Sequence, residues 1–140
     1  MSSVDALQAA LAGEHACVYG YGVLGPHVAA HDQQAVRSAY ETHRSRRDLL
    51  ADQVRARDTE PVASLPAYGV PFPVNNNQTA MRLAGLLEER LAPLYADLVA
   101  AAEDRTLRET AARALLETAV LSARWTGRTT ALPGLDPPAS

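Results

Sequence analysis

Residues 58–77 read DTEPVASLPAYGVPFPVNNN, and the rest of the chain falls into place around them. Pro61, Pro66, Pro71 and Pro73 lack a backbone N–H and fix φ, so the segment can be neither a helix interior nor an inner strand. On both sides the chain turns to helical periodicity. Two segments precede it, at about 3–24 and 32–57; two follow, at about 78–102 and 107–126. Within each pair the join is only a few residues long, which makes each pair an antiparallel hairpin. A helix of ~25 residues is ~38 Å long, whereas ~20 extended residues reach ~65 Å. Residues 58–77 can therefore return along the whole length of a bundle. The expectation is an all-α four-helix bundle of two antiparallel hairpins joined by one long crossover loop, within a single domain spanning 1–140. Tyr68 and Phe72 would pin the crossover to the helices; the alternative is a lid or partner-binding segment over Ser64–Val74. The tail, 128–140, is rich in proline and is expected on the surface, with Leu132 and Leu135 as anchors.

Each helix shows an apolar stripe and end signals. The first carries Val4, Leu7, Leu11, Val18 and Tyr21, with Ser2 or Ser3 as cap and Asp5 in the first turn. Gly25-Pro26 then interrupts the chain. The second opens at Asp32 and carries Val36, Tyr40, Leu50 and Val54. The third follows Asn75-Asn76-Asn77 and carries Leu83, Leu87, Leu91, Leu94 and Leu98, with Pro93 interrupting it. For the fourth, Thr106-Leu107-Arg108-Glu109 reads as a capping box. Leu107, Ala111, Ala114, Thr118, Leu121 and Trp125 follow on one face, and Gly127 stops it. Gly20 and Gly22 inside the first helix suggest a tight crossing or a contact between two copies of the chain.

Composition narrows the class. Hydrophobic residues at 47% and charged residues at 21% describe a folded globular protein, and aromatics at 5% favour helix over strand. The net charge is −3, and the densest basic cluster, His43-Arg44-Ser45-Arg46-Arg47, is followed at once by Asp48. That is no broad basic face for nucleic acid. No run approaches the ~18 apolar residues of a membrane span. The start, Met1–Asp5, lacks the basic and apolar regions of a signal peptide. A single cysteine, Cys17, forms no internal disulfide and suits a reducing compartment, so a cytoplasmic protein is expected.

The chemically informative residues are ionisable ones on apolar stripes. Glu14 lies between Leu11 and Val18 at helical spacing. His43 and Arg47 continue the stripe of Tyr40 and Leu50. Glu88 shares a face with Ala84, Leu91 and Tyr95, and Glu117 lies beside Ala114 and Leu121. Four-helix bundles that hold two metal ions take one glutamate from each of two helices and Glu-x-x-His from each of the other two. Here Glu14 and Glu88 supply the first pair. Tyr40-Glu41-Thr42-His43 has tyrosine where a bridging glutamate would stand, and Glu117-Thr118-Ala119-Val120 has valine where a histidine would stand. Glu88 and Glu117 lie at the margins of their faces, so simple solvation of both is one reading, and two others give them or their neighbours a role. Glu14, His43, Glu88 and Glu117 hold a reduced iron or manganese site, or metal is lost and Glu14, Tyr40, His43 and Arg47 form a buried polar cluster with no cofactor. Cys17, one position off the stripe, reads as packing.

The stretches from Glu14 to Gly22, His43 to Asp48, Ala67 to Val74, Leu87 to Arg90 and Ala131 to Leu135 together resemble the actinobacterial DUF4439 family. The resemblance implies a ferritin-like fold and supplies no catalytic residues. Two functions are therefore expected for test: a non-catalytic homodimeric bundle that binds a protein partner, with a degenerate metal site, or a metal-binding ferritin-like protein or oxidoreductase.

Overall fold

The computed structural model describes residues 1–128; the expected anchors Leu132 and Leu135 lie outside them. Four long helices form: α1 (Ser3–Leu24), α2 (Ala30–Arg55), α3 (Asn77–Ala101) and α4 (Arg105–Thr126), with one 3-10 turn at Gly25–His27. No strand occurs among the described residues, and no described helix is long and apolar enough to cross a membrane. The fold is an all-α bundle of the expected topology.

Helix ends explain the small departures from the expected boundaries. Ser2 and Asp5 form a reciprocal capping box at α1, and Asn76 with Thr79 forms another at α3. Asp32 does not cap α2. The helix begins earlier at Ala30, because the Ala29 N–H donates to the Asn77 side chain at 2.7 Å, a partner remote in sequence. At α4 the cap is Asp104 rather than Thr106. Its carboxylate accepts from the Leu107 N–H at 2.7 Å, while Glu109 pairs instead with Arg105 one turn away. Gly127 ends α4 in the left-handed region at φ 71°, where a side chain would be strained. α3 runs on as one helix through Pro93.

The crossover lies along α1. Gln8 brackets its start, donating to the Glu60 carbonyl and accepting from the Val62 N–H, both at 2.8 Å. His15 meets the Val62 carbonyl at 3.0 Å. Further on, the Tyr19 and Tyr68 rings lie 5.5 Å apart, and Arg82 of α3 sits 4.1 Å above the Phe72 ring. α1 is thus enclosed by α2, α3 and the crossover, which accounts for small and apolar residues on most of its circumference.

Close approach is greatest between α1 and α3. A Cβ on Gly20 would stand 2.5 Å from Leu87 Cδ1, and one on Gly13 would stand 2.6 Å from Leu94 Cδ1. Leucines of α3 therefore rest directly on the α1 backbone. Gly20 serves this internal crossing, while Gly22 has nothing within 4 Å of the same construction. α3 and α4 pack along their lengths, as do α1 and α2, but α2 and α4 scarcely meet.

Candidate functional site

Halfway along the bundle, helical spacing turns Glu14, His43 and Glu88 into the core, and all three are fully buried. His43 Nδ1 lies 2.7 Å from Glu14 Oε1, and Nε2 lies 2.6 Å from Glu88 Oε1. A neutral imidazole has only one N–H, so one of these contacts would set a lone pair against a carboxylate oxygen. The hydrogen bonds and charges of the two glutamates favour the imidazolium form, in which both nitrogens donate to carboxylates. The Tyr95 hydroxyl donates to Glu14 Oε2 at 3.1 Å, and the Tyr21 hydroxyl to Glu88 Oε1 at 2.6 Å. Trp125 of α4 donates in turn to the Tyr21 oxygen at 2.9 Å. One hydrogen-bonded chain thus joins all four helices across the core.

The proton positions follow from the surroundings. Burial by itself pushes the His43 pKa down, but hydrogen bonds to Glu14 and Glu88 and their charges outweigh it and lift the value to about 9. Burial and the neighbouring Glu88 push Tyr21 well up, and burial with Glu14 does the same for Tyr95. Burial and both carboxylates likewise hold Cys17 as a thiol. The carboxylates are surrounded by groups that keep their protons. This arrangement can orient side chains and fix helix register.

The sequence-derived candidates part company here. Glu14, His43 and Glu88 come together. Glu117 does not: it is half-exposed and pairs with Arg46 near the surface. Arg47, expected in the buried cluster, lies near the surface beside Asp48 at 3.0 Å. Tyr40 is only partly buried and lies under Arg44, 5.6 Å from its guanidinium. The inward stripe of α2 is Val36, Ala39, His43, Leu50 and Val54, with Arg46 alongside. It steps by three from Val36 and from His43 where the expectation stepped by four. Cys17, read as packing, stands within the cluster, one turn from Glu14; Tyr21, Tyr95 and Trp125 complete it.

These donors do not fit a two-ion site. Val120, at the position of the missing histidine, is 67% exposed, and Glu117 turns to Arg46. α4 thus brings no ligand inward, and Tyr40 replaces the bridging carboxylate on α2. Both ring nitrogens of His43 are engaged by carboxylates, so a metal would have to displace one of those contacts and its proton. The nearest approach to a one-ion set is Glu14, Cys17 and His43, whose ligand atoms lie within 4.8 Å of one another. Glu88 Oε2 is buried without a hydrogen-bond partner among the described residues.

A family model described as a domain of unknown function, DUF4439, matches residues 6–137. Among solved structures, a conserved hypothetical protein from Mycobacterium tuberculosis is 34% identical, with a TM-score of 0.86 over 89% of this chain and 95% of that one. A structure described as ferritin-like, diiron-carboxylate proteins from Bacillus anthracis gives a TM-score of 0.58 at 15% identity, over 89% of this chain and 88% of that one. The second likeness shows the fold alone, which is ferritin-like. No curated protein matches the chain.

Proposed function

The chain belongs to the DUF4439 family, and from that premise we propose that it is a non-catalytic ferritin-like bundle that serves as a protein-interaction module. In this reading a protonated histidine stands where bundles of this fold hold metal. The observation that carries it is the double contact of His43, 2.7 Å from Glu14 and 2.6 Å from Glu88, with all three residues fully buried. A cation between two carboxylates neutralises much of their charge, which is the electrostatic service a metal ion would perform. It does so without an open coordination position, so it provides cohesion and no reaction. The surroundings agree, since every titrating neighbour with a shifted pKa holds its proton more tightly.

The direct test is metal content and thermal response of protein purified without chelator. The reading expects less than stoichiometric metal and no gain in Tm on adding iron, manganese or zinc. One equivalent of tightly held metal, lost in Glu14→Ala, would overturn it.

A second reading has its own observation, the convergence of Glu14, Cys17 and His43. An ion bound there would have to expel the Cys17 proton and one His43 proton, so binding would strengthen with pH. Sulfur, nitrogen and oxygen ligands together suit zinc better than iron or manganese. A zinc-dependent rise in Tm that vanishes in Cys17→Ser would favour this reading over the first.

A further inference from the structure

The side of the bundle between α2 and α4 is open. Two hollows line up there on either side of the Arg46–Glu117 pair: a wider one from Ala35 to Arg124, and a narrower one between Leu49 and Leu107, floored by Tyr95 and Leu98 of α3. The wider one alone encloses about 700 Å³. At 1.5 Å per residue, the α4 wall from Leu107 to Arg124 is about 25 Å long. Leu116 and Val120, one turn apart on α4, are 64% and 67% exposed, and Leu49 across the groove is 42% exposed. A surface of this length, with Leu116, Val120 and Leu49 as apolar contacts among polar ones, has the dimensions of a helix-binding groove.

Charge says what would fill it. Arg46 lies at the meeting point of the two parts of the groove and is only 12% exposed. Glu117 takes its Nη2, while the buried Nη1 has no hydrogen-bond partner among the described residues. Arg113 lines the narrow part and Arg124 the wide part, and neither forms an ion pair among the described residues. That Nη1 is sealed from the groove, so the cations open to a partner are the exposed Arg113 and Arg124, and a carboxylate is the acceptor that best matches a guanidinium. On α4, Arg113 and Arg124 flank Leu116 and Val120 at helical spacing, so an acidic helix laid against this face would set carboxylates on both arginines.

We propose that the α2–α4 groove binds an acidic amphipathic helix of a partner protein, seating its apolar face on Leu116, Val120 and Leu49 and its carboxylates on Arg113 and Arg124. This deepens the interaction reading above and rests on it, but it does not depend on how His43 holds its proton. Metal found at Glu14 would defeat the non-catalytic reading and leave the groove as it is.

The test uses the whole chain and a synthetic helix of about 18 residues, long enough to follow the groove. Leucines on one face and glutamates flanking them form the probe; the control replaces every glutamate with lysine. Calorimetry is expected to show one-to-one binding of the acidic helix and at least ~tenfold weaker binding of the basic one. Val120→Glu and Arg124→Glu, both at exposed positions, should each abolish it with the helical circular dichroism unchanged. Amide shift changes should concentrate on α2 and α4. Equal binding of both helices, no saturable binding, or shifts elsewhere would overturn the proposal. So would a concentration-dependent dimer that Val120→Glu dissociates, because the groove would then belong to a second copy.

Discussion

Along the α1–α3 seam, Gly13 and Gly20 let leucines of α3 rest on the α1 backbone, and Glu14 and Glu88 close on the His43 ring. Along the α2–α4 seam the helices scarcely meet, and among the described residues the ion pair that joins the two helices is the largely covered Arg46 with the half-exposed Glu117. Both seams descend through the same layer of the bundle, at the height of His43. The difference lies in which helices send polar groups inward at that height. α1 sends Glu14, Cys17 and Tyr21, α2 sends His43, and α3 sends Glu88 and Tyr95, whereas α4 contributes the Trp125 indole to the chain of hydrogen bonds. No carboxylate or imidazole of α4 reaches this centre, and α4 leaves Leu116 and Val120 exposed beside α2. The closed seam provides the cohesion of the bundle; the open one provides surface.

Breaking the clasp should have the largest effect. His43→Ala leaves two carboxylates buried without their cation, and chemical denaturation should show a loss of about 3–5 kcal/mol. If the loss is under about 1 kcal/mol, the closed seam does not depend on the clasp.

The pH dependence should be nearly as large. The folded-state pKa of His43, about 9, lies above the ordinary value of 6.5. The folded state therefore holds this proton more tightly. Its contribution is complete below about pH 6.5 and is lost as pH rises through about 9. The shift corresponds to about 3 kcal/mol between those limits. Urea unfolding at pH 6 and pH 9.5 should show that decline in the native sequence and not in His43→Ala.

Packing comes next. Gly20→Ala places a methyl against Leu87, and a cost of about 1–3 kcal/mol is expected from thermal or urea unfolding. Gly22→Ala serves as its control, since that position is open. It removes a helical glycine and should leave stability unchanged or raise it by up to about 1 kcal/mol.

The smallest effect belongs to the open seam. Val120→Ser, at 67% exposure, should change stability by no more than about 0.5 kcal/mol. A loss as large as that in Gly20→Ala would mean that the two seams are not different in kind.

Much of this was legible in the sequence because it depends on local rules. Prolines and length identified the crossover, and periodicity placed Glu14, His43 and Glu88 inward. What could not be read was set by partners distant in the chain. α2 starts at Ala30 because Asn77 receives the Ala29 N–H, and nothing near Ala29 announces that. Asp104 outcompeted Thr106 as a cap because both residues are good acceptors and only backbone placement chooses between them. On α2, spacings of three and four residues are both compatible with one helical face. Arg46 and Arg47 were therefore interchangeable until the crossing of α2 against α1 and α3 selected the former. Cys17 stands three residues after Glu14 on the same face, a signal that the stronger apolar character of Val18 obscured.

The central claim is the charge state of a single ring. Nitrogen-detected NMR of the His43 imidazole, followed from pH 5 to pH 10 in metal-free protein, measures it directly. The account predicts that both ring nitrogens carry protons at pH 7 and that the ring titrates near pH 9, within the folded state. A neutral ring at pH 7, with one nitrogen unprotonated and titration at or below the ordinary 6.5, would contradict it.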